Sequence, residues 1–313
     1  AADARLRFHL WTSQVSRPSF PSRCTIMNVA SWLHTDLRGA PFYDMVLLCL
    51  GVIVVTWLLS VLTREYSWVD RSWSTVPVVY VGYEAYAEGF ANARLNVMAV
   101  LVTLWGARLT FNFARKGGFR SGGEDYRWEV LKKKLGPVGF QFFNLSFISP
   151  YQSILILLFC APAHTAWVHR ATPLGILDIG ATTVFLLLLA GETIADEQMW
   201  RFQQDKTAKR ERGEKVDPPF FCEGLYRFSR HPNYFCELGM WWTLYLFAVA
   251  ASGMWLNWTL TGVVLLSLLF DGSVRFGESI SAGKYPGYAD YQARVSRLIP
   301  WWPKPVGTRA TTE

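Results

Sequence analysis

The chain has 313 residues, of which 51% are hydrophobic and 16% aromatic, and its 31 basic against 24 acidic side chains leave a net charge of +7. A mean hydropathy of +0.16 beside 18% charged residues argues against a disordered polar chain and for an integral membrane protein with charged loops. The basic excess calls for no nucleic acid, because positive loops beside anionic lipid account for it.

Residues 1–41 read as an N-terminal extension. Arg5, Arg7, Arg17 and Arg23 alternate there with Ser and Thr, the composition of an organellar transit segment or of a solvated tail. Residues 42–303 read as one membrane domain, followed by a polar tail over 304–313. Six windows, 42–63, 95–113, 148–163, 174–191, 234–251 and 255–270, are mostly apolar and come close to the roughly 20 residues a bilayer crossing needs. A weaker seventh, 68–86, contains Pro77 and Glu84 and requires other helices around it. The expected fold is therefore all-α, a polytopic bundle of about seven transmembrane helices. With seven crossings the loops on one side carry 23 Lys and Arg and those on the other 7, which places the C-terminus at the cytoplasmic or matrix-like face. Endoplasmic reticulum and an organellar membrane such as the mitochondrial inner membrane both fit.

Chemistry is expected in two long polar stretches. The first is "WGARLTFNFARKGGFRSGGEDYRWEVLKKKLG", residues 105–136, in which Arg108 and Arg115 share a helix face. A charge at the depth of Arg108 is expensive and predicts a polar cavity or a carboxylate partner. The second stretch, residues 195–237, continues the helical spacing of the fifth crossing through Asp196, Met199 and Gln203 before Pro218 and Pro219 stop it. It ends in "RFSRHPNYFCE", where Arg227, Arg230, His231, Asn233, Tyr234 and Glu237 surround Pro232 at the start of the sixth helix. A helix N-terminus with free amides, Arg and His suits an anion, and Asn and Tyr add hydrogen bonds and a stacking face.

A metal centre is not expected. Cys222, His231 and Cys236 are nine and five residues apart without a second histidine at ligand spacing, and the five cysteines show no C-x-x-C pair. Beyond the last crossing, past Arg275, the tyrosines Tyr285, Tyr288 and Tyr291 at three-residue intervals could line a planar ring, although tyrosines and the Trp301–Trp302 pair also belong at a membrane interface.

Together, "GETIADEQMWRFQ", "GLYRFSRHPNYFCELGMWW" and "KYPGYADYQARVSRLIPW" make the chain resemble the steroid 5-alpha-reductase C-terminal superfamily. It is most similar to a membrane branch with the ordered motifs VDxxWS, WGxRL with EDYRW, and RHPNYFGE. These stand here as Val69–Ser74, Trp105–Leu109 with Glu124–Trp128, and Arg230–Glu237. The resemblance implies a seven-helix reductase that grips NADPH at its basic face and admits a lipid- or sterol-like alkene from the membrane. It would assign Asp196, Arg227, Arg230, His231, Asn233, Tyr234, Glu237, Arg275 and Tyr285 to the nucleotide, and Tyr83 and Glu84 to catalysis. The chain departs from the pattern at Cys236, where the family has Gly, and its third crossing lacks a Tyr. A reductase-like structural or lipid-binding subunit of a membrane complex, and a membrane methyltransferase using S-adenosylmethionine, are the alternative expectations.

Overall fold

A computed structural model describes residues 41–120 and 122–305. All but the last residue of the transit-like extension and all but the first two residues of the polar tail fall outside them. Every regular element among the described residues is helical. In chain order these are α1 (Phe42–Thr63), α2 (Trp68–Ser72), α3 (Val76–Ala87), α4 (Ala93–Arg115) and α5 (Tyr126–Phe143). A π-helical turn (Asn144–Tyr151), α6 (Gln152–Cys160), α7 (Pro162–Val168), α8 (Ile176–Glu211), a 3-10 turn (Gly224–Arg227), α9 (Pro232–Ser252), α10 (Leu260–Lys284) and α11 (Tyr288–Arg294) follow.

Six segments are long and apolar enough to cross a membrane: Phe42–Thr63, Ala93–Arg115, Arg127–Val168, Ile176–Glu211, Pro232–Ser252 and Leu260–Lys284. The chain is thus a polytopic helical membrane protein. The expected seventh span is not one long helix. Residues 68–87 are broken into α2 and α3, and α3, with 12 residues, rises only about 18 Å against a hydrocarbon core of about 30 Å. The pair nevertheless carries the chain between the two ends of the bundle. At one end Arg71 donates to the carbonyls of Gly118 and Arg120 just past α4. At the other, Glu88 pairs with Arg170, and Asn92 caps the start of α4 while donating to the Arg170 carbonyl. Neighbouring helices bury Pro77, Tyr80, Val81, Glu84 and Ala85, which is how a segment with a proline and a carboxyl is tolerated there.

The fourth span also differs from the expected window of 148–163. It is one run from Arg127 to Val168, kinked at Gly136, whose φ is 68°, and widened into the π-turn around Pro150. Proline has no N–H to return to the preceding turn, and the wider turn absorbs that loss. As the spacing predicts, α8 continues past the membrane: its 36 residues rise about 54 Å.

The core is aromatic and closely packed. Trp241 meets Trp105 edge-on at 4.8 Å and Phe159 at 4.2 Å between ring centroids. At the less basic end, buried Arg94 grips both oxygens of Asp178 at 2.7 and 2.9 Å and the carbonyls of Thr172 and Pro173 at 2.9 Å each. That fork locks the start of α4 to the start of α8.

Where α10 crosses α6, a Cβ on Gly262 would lie 2.2 Å from the Leu158 carbonyl oxygen, so only glycine permits the approach. Gly262→Ala is expected to force the helices apart and cost about 1–3 kcal/mol. Gly272→Ala on the same helix meets nothing within 4 Å and should be neutral or stabilising. Thermal unfolding of the two variants in one detergent compares them directly.

Candidate functional site

Two linked polar clusters occupy the basic half of the bundle. The deeper one is built by helical spacing on three helices: Trp105, Arg108 and Asn112 on α4, Glu192 and Asp196 on α8, and Glu237 and Trp241 on α9. Spacings of three and four residues place each group on one face. Arg108 stands at the centre, its Nη2 2.6 Å from Glu192 and its Nη1 2.6 Å from Asp196. Glu237 is 3.4 Å away and accepts from Trp105 Nε1 at 2.8 Å and Trp241 Nε1 at 2.9 Å. Asn112 donates to Asp196 at 2.7 Å, and Lys116 lies 3.8 Å from its other oxygen. Desolvation against the bundle pushes the Lys116 ammonium below its ordinary pKa although 43% of its side chain stays exposed, and Asp196 partly restores it. All three carboxylates are buried, so three acids share one guanidinium, while its Nε has no partner.

The expectation that Arg108 needs a carboxylate is met three times over. Glu192, Asn112 and Trp241 were not singled out from the sequence, and Trp105 stood there only as the first residue of the WGxRL motif. Their signal was the four-residue repeat of polar groups inside otherwise apolar helices.

The second cluster fixes the chain around the start of α9. Arg230 donates Nε and Nη2 to the two oxygens of Glu278 at 2.6 and 2.9 Å, and Nη1 to the carbonyls of Gln292, at 2.9 Å, and Val295. His231 Nε2 meets the same Glu278 at 3.0 Å. Around this pair, Arg230 N donates to Ser296 O, Ser229 Oγ to Leu298 O, and Trp301 N to Phe228 O. Arg230 and His231 thus staple the 3-10 turn and α9 to the segment after α10. Much of the donor capacity expected to meet an anion is spent inside the chain.

The remaining sequence candidates divide. Arg227 is exposed and, like the side chains of Asn233 and Tyr234, has no hydrogen-bond partner among the described residues. The Tyr234 ring stacks beside His231 and meets Phe270 edge-on. Tyr285 accepts from Lys206 at 3.2 Å; burial raises its pKa, but the hydrogen bond and the charges of Lys206 and Lys284 bring it below the usual tyrosine value. Arg275 is exposed and pairs one turn back with Asp271. Tyr83 and Glu84 share no contact with either cluster. Tyr83 donates to Asp44 at 2.6 Å, and buried Glu84 meets His164 Nδ1 at 3.0 Å, both toward the less basic end. Cys236 is buried and points its sulfur at Gly191, filling the α8–α9 crossing.

The early and middle motifs meet. Trp128 Nε1 donates to Asp70 and to Ser67, each at 3.1 Å, and Glu124 takes both Tyr66 N and Lys132. These residues brace the loop that follows α4.

Fold and clusters together define a polytopic helical membrane protein with a buried ionic centre near its basic face. Residues 56–295 match the family described as "Protein of unknown function (DUF1295)", and the chain belongs to that family. It is also similar to an uncharacterized protein of Schizosaccharomyces pombe, 34% identical over 276 residues that cover 83% of this chain and 80% of the relative. No solved structure matches it.

Proposed function

We propose that the chain is a membrane reductase that uses NADPH to saturate a C=C bond of a lipid- or sterol-like molecule. The observation that carries this reading is the buried ionic centre, in which Glu192, Asp196 and Glu237 surround Arg108 one helical turn below Asn233 and Tyr234. The likeness of the three ordered motifs to the steroid 5-alpha-reductase superfamily supports it.

Among the residues at the basic face, Arg227, Asn233 and Tyr234 fit a nucleotide, having polar groups not engaged by described neighbours. Arg230 and His231 act through Glu278 by holding that segment in shape. When bound, the cofactor supplies a hydride; saturating the double bond also requires a proton on the other carbon. Three carboxyls around one guanidinium, with Lys116 at the edge, leave a surplus negative charge at depth. A proton held on that centre neutralises it and is available for transfer. Lipid-facing side chains such as Leu47, Val54, Leu58 and Leu187 keep the bundle in contact with the bilayer from which the substrate would come.

Titrating the purified chain in detergent with NADPH should give a saturable change in nucleotide fluorescence. Asn233→Ala should weaken it about tenfold, the worth of one hydrogen bond to a charged group. S-adenosylmethionine should neither bind nor compete. No response up to millimolar NADPH would sink the proposal and favour a lipid-binding subunit, the reading that the internal engagement of Arg230 supports.

A further inference from the structure

A cavity of about 410 Å³ opens beside the second cluster, outside the membrane-spanning segments. Three basic side chains line it, Arg227, Arg294 and Lys304, together with one acid, Asp290, and the rings of Phe220 and Tyr291. Most basic residues of this face are paired: Arg71 with Glu65, Arg115 with Glu197, Lys132 with Glu124, Arg230 with Glu278 and Arg297 with Asp271. The three cations of the cavity have no ion pair among the described residues.

The cavity is held open by contacts that do not use its charges. Tyr291 donates its hydroxyl to Tyr226 O at 2.5 Å, and its ring stacks on Phe220. Lys304 N donates to Arg294 O at 2.9 Å, which brings these two cations onto one wall. Like charges gathered in a shaped recess repel one another unless an anion joins them.

We propose that this cavity is a phosphomonoester site. Three cations against one carboxylate give it a charge of +2, which matches the roughly −1.5 to −2 of a phosphate monoester near neutral pH better than the single charge of a diester. Arg227 and Arg294 offer planar forks for the phosphate oxygens, Lys304 a third charge, and Phe220 and Tyr291 an apolar wall for the group that carries the phosphate. The monoester belongs either to a soluble nucleotide or to a lipid headgroup; exposed Trp301 and Trp302 bring the bilayer interface close to the opening.

Isothermal titration of the full chain in detergent with 2′,5′-ADP and with short-chain phosphatidic acid distinguishes the sources, with short-chain phosphatidylcholine as the diester control. At least one monoester should bind, the control should not, and Arg294→Gln and Lys304→Gln should each weaken binding about tenfold. Both residues are exposed, so neither change should disturb folding. Binding of 2′,5′-ADP alone makes the cavity a nucleotide site, and binding of phosphatidic acid alone makes it a lipid site; either supports the proposal. Failure of both monoesters, or unchanged binding by both variants, overturns it. NADPH binding that survives such a failure would leave the reductase reading standing without this cavity.

Discussion

Arg108→Ala should be among the most damaging single changes in the bundle, costing about 3–5 kcal/mol, because it leaves Glu192, Asp196 and Glu237 buried without their shared cation. The effect is expected as a lower unfolding temperature in detergent and reduced yield of monodisperse protein. Arg108→Lys should recover only part of the loss, since an ammonium cannot reproduce a fork that reaches α8 and α9 at once. The triple change Arg108→Met, Glu192→Gln, Asp196→Asn should be milder than Arg108→Ala alone, because it leaves one buried carboxylate, Glu237, without the guanidinium instead of three. If the single and triple variants are equally unstable, the electrostatic explanation fails and shape alone holds the site.

Arg230→Ala should act at a different place with a comparable cost, again about 3–5 kcal/mol for a buried pair broken on one side. The loss is local. The carbonyls of Gln292 and Val295 lose their donor and Glu278 keeps only His231 and Gln292, so the segment from residue 285 to 304 detaches before the bundle melts. Limited proteolysis should then cut within that segment in the variant and spare the parent. Glu278→Gln should produce the same cleavage pattern more weakly, because Arg230 keeps its two carbonyl partners. An unchanged digestion pattern in both variants would show that the C-terminal segment is held by its aromatic contacts instead.

The bundle was legible in the sequence because membrane crossing requires long apolar runs, and six of them are single segments of the fold. The segment 68–86 was harder to read. Its polar positions matter only through neighbours that the pattern does not name: His164 for Glu84 and Asp44 for Tyr83. The same reason explains the charges. That Arg108 needed an acid follows from its depth alone, whereas three acids from two other helices appear only once α4, α8 and α9 are packed. In "RHPNY" the residue types suit an anion, yet Arg230 and His231 turn inward to Glu278, 48 and 47 residues further along the chain. Local sequence cannot separate a donor aimed at a ligand from one aimed at a distant carboxylate. Cys236 likewise reads as a departure from a pattern until Gly191 is seen opposite it.

The most direct test of the reductase reading follows the transferred atom itself. The purified chain, reconstituted with total membrane lipid extract, is incubated with NADPH carrying deuterium at the transferable position, and the lipids are resolved by mass. A reductase places one deuterium from the cofactor and one hydrogen from solvent on a lipid species as its double bond is lost, and Glu237→Gln lowers that yield at least tenfold. Oxidation of NADPH without deuterium in any lipid, or neither oxidation nor incorporation, would contradict it.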